Sequence, residues 1–281
     1  MNHFKFQVQH VVEQGRTNQQ LIDTLVQWLQ DNDMPKVPQE TIVEFLLACN
    51  NDLEATKKTM QSCYNCKKNG PEIFDDRNVN NPNLELALKT IRLATMPTRT
   101  EQNYAVHYFK VHDPDYTKFD IVANIKLTLM LLEVTLEKDP PDGLVVVLDM
   151  DNIGLMHVTK LKLGFLRLFF EFLQEGMPLK LKQIHIFNTS FVYDKILALI
   201  KILMKKELAE LIKAHPPNLD MEKFFQEELR KECIPKDYGG SLGTIEELHA
   251  DTIAQMKERQ EYFDEEERSR KNYRFESVEL K

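Results

Sequence analysis

Residues 143–152 read Gly-Leu-Val-Val-Val-Leu-Asp-Met-Asp-Asn. Five aliphatic residues in a row, Leu144–Leu148, stand between Pro140-Pro141-Asp142-Gly143 and a polar stretch that opens at Asp149. An uninterrupted apolar run of this length, bounded by turn residues, predicts a strand buried on both faces, as in a parallel sheet. Two carboxylates, Asp149 and Asp151, follow its end. That pattern suits two unrelated functions, an aspartate-based phosphatase and a lipid carrier, and the flanking sequence has to separate them.

Outward from this strand, apolar periodicity switches repeatedly between strand and helix. Tyr104–Val111 is an expected strand, Phe119–Leu136 a helix, Leu144–Met150 a strand and Lys160–Glu175 a helix. Gln183–Asn188 is a further strand and Phe191–Lys213 one long helix. The β-α-β-α-β order implies an α/β domain with a mostly parallel sheet flanked by helices. Residues 1–95 precede it as a helical domain. There Thr17 or Asn18 caps a helix through Leu21, Ile22, Leu25, Trp28 and Leu29, and Gln39–Cys49 forms the next. Another starts after Asn50-Asn51-Asp52, and one more is expected around Leu84–Leu93. Residues 96–245 make up the α/β domain. Residues 246–281, most of them in the charge-rich helical stretch Thr244–Arg274, have the pattern of a solvated outer face or tail.

The chain has 281 residues, 42% of them hydrophobic and 28% charged, with a formal net charge of −8. These are globular proportions, and the acidic surplus disfavours nucleic acid as a partner. The opening stretch MNHFKFQVQHVVEQG lacks the apolar core of a signal peptide, and no window is long and apolar enough to span a bilayer. With four cysteines and no secretory signal, a cytoplasmic location is expected. A monomer is expected as well.

Two helices are more apolar than a surface helix needs to be. In Leu161–Leu173 the apolar residues cover roughly half the circumference at about 100° per residue. In Val192–Met204 they do the same, opposite Asp194, Lys195, Lys201 and Lys205. Either both helices simply pack on the sheet, or they line an apolar cavity that one of them closes. Periodicity alone does not choose.

For a phosphatase, Asp149 would be the nucleophile and Asp151 the acid/base, with Ile184–Ser190 as a second strand motif and Lys201 as its lysine. The chemistry then needs a later acidic pair at a strand end to hold Mg²⁺, and Asp220, Asp237 and Glu246-Glu247 all sit in polar, non-strand contexts. Cys63 and Cys66 form a CxxC with no second ligand pair. Only nine glycines occur in the chain, which leaves little for a nucleotide cradle.

The segment Ile234-Pro235-Lys236-Asp237-Tyr238-Gly239-Gly240, followed by Ser241–Leu248, resembles the signature that closes the CRAL-TRIO lipid-binding domain. Gly143–Gly154 is similar to that family's central strand, Lys180–Ser190 to its next strand and turn, and Phe191–Lys213 to its gate helix. Phe45–Cys49 and Pro71–Phe74 resemble the helical domain that precedes it. The likeness spans nearly the whole chain. It implies a non-enzymatic carrier with no metal and no cofactor beyond its cargo, which holds one hydrophobic lipid (a tocopherol, retinoid, carotenoid or other terpenoid, or a phospholipid) between sheet and gate helix. It further implies transient contact with a membrane surface.

By this resemblance the pocket is lined by Leu148, Leu155, Met156, Leu161, Phe165, Phe169, Phe172, Ile184, Ile186, Ile196, Leu199, Ile200 and Leu203. Thr128, Asn188, Thr189 and Ser190 are its candidate polar handles. Lys180, Lys182, Lys201, Lys205 and Lys206 are the candidate membrane or phosphoinositide contacts. Other positions that are basic in phosphoinositide-binding relatives carry Leu47, Cys49, Glu207 and Leu211 here, so weak phosphoinositide binding is expected. The small polar residue that several relatives place near Met156 is absent, which favours an entirely hydrophobic ligand. A binding or regulatory module without a ligand, acting through its charged C-terminal helix, is the other reading left open.

Overall fold

A computed structural model describes residues 3–32 and 34–271. The described chain opens with α1 (Val8–Glu13), α2 (Gln19–Asp31), α3 (Gln39–Ala48), α4 (Leu53–Asn69), α5 (Pro71–Phe74) and α6 (Pro82–Thr90). There follow β1 (Ile91–Thr95), β2 (Tyr104–Val111), α7 (Ile121–Leu136), β3 (Gly143–Asp149), α8 (Leu155–Val158), α9 (Leu163–Glu171) and β4 (Leu181–Phe187). The remainder is α10 (Phe191–Ile200), α11 (Lys206–Ala209), β5 (Ile212–Ala214), α12 (Met221–Glu227), α13 (Ile245–Glu258) and α14 (Gln260–Lys271). Helix starts follow their side chains: Asn18 accepts from the Leu21 N–H at the head of α2, and Asp52 from the Ala55 N–H at the head of α4.

The five strands lie in chain order, β1 antiparallel to β2 and the others parallel. The Leu144–Leu148 run is thus the middle strand, as its pattern predicts. Register places Ala105, His107 and Phe109 of β2, Leu144, Val146 and Leu148 of β3, and Ile184 and Ile186 of β4 on one face. Because β2 to β5 follow each other in one direction, right-handed crossovers put α7, α9 and α10 all on that face. Helix α7 covers its β1–β2 half, anchored by the Thr135 hydroxyl on the His107 ring at 2.7 Å. The opposite face is sealed by Val145, Val147, Phe187, Phe224, Leu229 and Ile234 in one buried cluster.

Three expectations need correcting. Ile91–Thr95 is a strand rather than the end of a helix. Leu84, Leu88 and Ile91 fit the helical period, but Ile91 and Leu93 also alternate inward, and pairing with Phe109 and Val111 prevails. Phe191–Lys213 is not one helix. Helix α10 ends at Ile200, a 3₁₀ turn covers Lys201–Leu203, and β5 extends the sheet. The break is held by Gln174, whose amide donates to the Leu203 carbonyl at 3.1 Å and accepts the Lys205 N–H at 2.6 Å.

The third correction concerns the C-terminal stretch, which is not a solvated tail as far as Lys271; the residues after it lie outside the described ones. The stretch bends at Arg259 into α13 and α14. His249 of α13 is buried against β1, its ring nitrogens 3.0 Å from the carbonyls of Leu93 and Leu88. Helix α14 lies over the N-terminal helices, where Glu266 meets Lys67 at 2.8 Å and Arg77 at 2.7 Å, and Arg270 meets Asp75 at 2.6 Å. Its charges are matched by opposite charges on neighbouring elements, which is what allows them to be covered.

Candidate functional site

At the end of β3, Asp149 is a buried carboxylate held by five donors. It accepts from the Tyr108 hydroxyl at 3.2 Å, the Asn188 amide at 2.7 Å and the Asp151 N–H at 2.9 Å, with Lys110 Nζ at 3.1 Å. The fifth donor is the hydroxyl of Tyr238. Burial alone would raise the pKa of this group. Hydrogen bonds from Tyr238, Asn188 and the Asp151 backbone, with the Lys110 charge, outweigh it and hold the carboxyl below its ordinary range. A carboxylate with both oxygens engaged in this way is a structural anchor, without the free oxygen a phosphatase nucleophile needs.

Tyr238 belongs to the Ile234–Gly240 signature, so the two most distinctive stretches of the sequence meet at this carboxylate. The glycines allow it. Gly239 has φ +77°, and a Cβ on Gly240 would lie 1.9 Å from the Ile234 carbonyl oxygen. Only a chain doubled back that tightly brings the Tyr238 ring under the strand end.

Next to this anchor the sheet face over β3–β5 is incompletely covered. Val146 and Leu148, though on the middle strand, are only half-buried, as is Ile184 beside them. On the facing helices Phe165, Leu168, Phe169 and Phe170 of α9, and Ile196, Leu197, Leu199 and Ile200 of α10, are likewise half-buried. Leu148, Ile184, Ile196 and Leu199 join none of the three packed clusters, whereas Leu161, Phe165, Phe169, Ile200 and Leu203 pack at the margin of the N-terminal one. Well-packed interiors leave no such loose apolar set. These loosely packed residues, on the sheet and on α9 and α10, mark where the expected cleft would lie.

Most of the expected liners belong to this half-buried set; Ile186 is instead buried, and three others differ. Leu155 and Met156, on α8, are exposed and form a rim rather than a wall. Phe172 is buried on the far side of α9, edge-on to Phe74 with ring centres 5.3 Å apart. The expected polar handles are mostly occupied: Asn188 serves Asp149, the Thr189 hydroxyl donates to the His215 carbonyl, and Ser190 caps α10. Thr128 donates to the Asn124 carbonyl at 2.8 Å. Asn124 itself was not expected, yet its buried Oδ1 finds no donor among the described residues. Asn124, Thr128 and Thr135 lie four and seven positions apart on the face of α7 that meets the sheet, and this spacing was the available signal.

Five of the six large apolar side chains exposed among the described residues are Leu155, Met156, Leu163, Phe191 and Ile202, all on α8–α10 or the turn that follows. The cations are less concentrated. Lys180 is exposed, Lys182 lies over the Tyr104 ring, and Lys201 is exposed. Lys205 is paired with Glu175, and Lys206 lies 3.5 Å from Glu210. Away from the cleft, burial pushes the thiols of Cys63 up to about 11 and Cys66 up to about 12, which makes them inert thiols.

A family model described as the CRAL/TRIO domain matches residues 90–240, and one described as a Pinta-like UBA domain matches residues 14–84. An α-tocopherol transfer protein-like protein of Mus musculus is 23% identical over 207 residues, 73% of this chain and 59% of that protein. Its Homo sapiens counterpart is 22% identical over the same shares. The chain thus spans about three-fifths of the length of these curated relatives. The crystal structure of Sfh5 superposes with a TM-score of 0.50 at 14% identity, covering 75% of this chain and 74% of that one, a likeness of fold. With the matched segment extending over more than half of its length, and the closing signature bound to the central strand, this chain belongs to the CRAL/TRIO domain family.

Proposed function

We propose that this protein binds a single hydrophobic lipid in the cleft between β3–β5 and helices α9 and α10, and exchanges it at a membrane surface. The observation that carries this reading is the half-buried state of Leu148 and Ile184 inside a sheet whose other face is fully sealed. Apolar surface left open in this way is stabilised by an apolar occupant, at about 25 cal/mol per Å² removed from water. A bilayer offers the lipid nearly the same environment, so extraction is close to neutral for the tail. Polar contacts then set selectivity, and Asn124 with Thr128 are the groups available.

The exposed rim of Leu155, Met156, Leu163, Phe191 and Ile202 supports contact with the membrane at the mouth of the cleft. No described helix is long and apolar enough to cross a membrane. This fits a carrier that visits a bilayer from the cytosol and works as a monomer. Pairing of Lys205 with Glu175 and of Lys206 with Glu210 leaves few free cations for a phosphoinositide headgroup, so the attraction there is weak.

The test is transfer of a fluorescent terpenoid lipid between vesicles by wild-type protein and by Leu148→Trp, which fills the cleft. Wild-type protein accelerates transfer and the variant, folded by circular dichroism, does not. Equal transfer by both, or none by either, contradicts the reading.

A further inference from the structure

Behind α9, and separate from the cleft, a cavity of about 250 Å³ lies between the α2–α3 connection, α4, α7 and α14. Two nearly covered side chains line it, Arg259 at 3% exposure and Glu44 at 5%. Arg259 donates from Nη1 to the His3 carbonyl at 2.8 Å and stands 3.5 Å from Glu137. Its Nε and Nη2 have no acceptor among the described residues, and Glu44 Oε1 and Glu133 Oε2 have no donor. Leaving charged donors dry and unpaired is costly, so a cavity beside them needs an occupant.

The free atoms specify what kind. Nε–H and Nη2–H form one edge of the guanidinium and point in parallel, matching the two oxygens of a carboxylate. The plane is fixed by Tyr262, whose ring centre lies 3.9 Å from the guanidinium carbon, and by Phe4 at 5.4 Å. Burial holds the Glu44 carboxyl well above its ordinary range; the Arg259 and Lys67 charges only partly oppose this, and Glu133 and Glu40 add to it. The Glu44 Oε1, without a donor among the described residues, lies on the same cavity wall. Lys36, Lys67, Arg259 and Arg270 line the cavity together with Glu44, Glu133, Glu265 and Glu266, and His3 is paired to Glu265. The remaining wall is apolar, from Val37, Phe45, Leu132, Leu136 and Phe172.

We propose that this cavity is a second binding site, for a small carboxylic acid with an apolar tail, its carboxylate seated on the Nε/Nη2 edge of Arg259. The tail lies along Phe45, Leu132 and Phe172. Exposed Lys36 and Ser269 line the way in.

Isothermal titration of the delipidated full chain with octanoate, octanol and inorganic phosphate tests this. Octanoate saturates one site, whereas octanol and phosphate do not. Arg259→Lys keeps the charge but loses the fork, and weakens octanoate roughly tenfold or more. Ser269→Trp, at the mouth and outside the core, abolishes binding with an unchanged melting profile, so the result stands even if Arg259→Lys folds poorly. Leu148→Trp leaves octanoate binding intact, which separates this site from the lipid cleft. No saturable binding to the wild-type chain would show a cavity holding water only and overturn the proposal. Binding unaffected by Ser269→Trp, binding lost in Leu148→Trp, or octanol binding as well as octanoate would also overturn it.

Discussion

At the scale of single residues, the account turns on Asp149 and the tyrosine beneath it. The aspartate was legible in the sequence as a strand-end carboxylate, and Tyr238 as part of a signature, but not their bond, which joins positions far apart in the chain. Its consequence is a stability that depends on pH. The folded-state pKa of Asp149 is below the ordinary 3.8, so its contribution is full above that value and is lost as pH falls through the depressed one. Asp149→Asn should lower the free energy of unfolding in urea at pH 7 by about 1–3 kcal/mol. The gap to the wild-type chain should narrow below pH 4. A gap that stays constant with pH would mean that the carboxylate charge does not matter to the anchor.

At the scale of elements, two features of β4–β5 and α10 matter. His185 of β4 is fully buried against His215, 3.1 Å away, and Phe224, and burial lowers its pKa to about 4. A histidine depressed in the folded state takes up its proton first in the unfolded chain, so stability falls as pH drops from about 6.5 towards 4. The loss is on the order of 3 kcal/mol by pH 4 at about 1.4 kcal/mol per unit. His185→Gln should flatten the urea midpoint over that range, and an unchanged slope would assign the effect to other groups such as His107, lowered to about 3.

The segment expected to be a gate helix shows where reading by period stops. The apolar surplus of Leu161–Leu173 and Val192–Met204 was visible because it exceeds a packed stripe. The stop at Ile200 was not, since Gln174 imposes it from another element and the apolar pattern runs on into β5. Phe191 at the head of α10 is 64% exposed and Ile202 in the turn after it 77%, and on the proposed function these side chains meet the bilayer. Phe191→Ser combined with Ile202→Ser should slow vesicle-to-vesicle transfer several-fold while leaving lipid bound per protein unchanged. Loss of binding along with transfer would instead make these residues part of the cleft.

At the scale of the molecule, the alternation of β2, α7, β3, α9 and β4 was legible, because apolar runs bounded by turn residues alternate there with helical periods, whereas β1 and β5 were read as helix. The role of the C-terminal helices was not legible. A run of Glu, Arg and Lys has the same pattern whether it meets water or a set of opposite charges, and only the tertiary arrangement of Lys67, Arg77 and Asp75 decides. The same limit applies to the polar handles. Asn188, Thr189 and Ser190 looked available at a strand end and are taken up by the backbone and by Asp149, while Asn124 on α7 kept a free oxygen. What the fold as a whole presents is one covered sheet face and one that α7 covers over β1–β2 but that stays half-buried at Val146, Leu148 and Ile184.

The measurement that bears most directly on that asymmetry is native mass spectrometry of the chain isolated from a lipid-rich host, followed by organic extraction. A single adduct of a few hundred daltons per chain, lost in Leu148→Trp, is the expected result. A clean ligand-free mass that persists after incubation with mixed lipid vesicles would contradict the account.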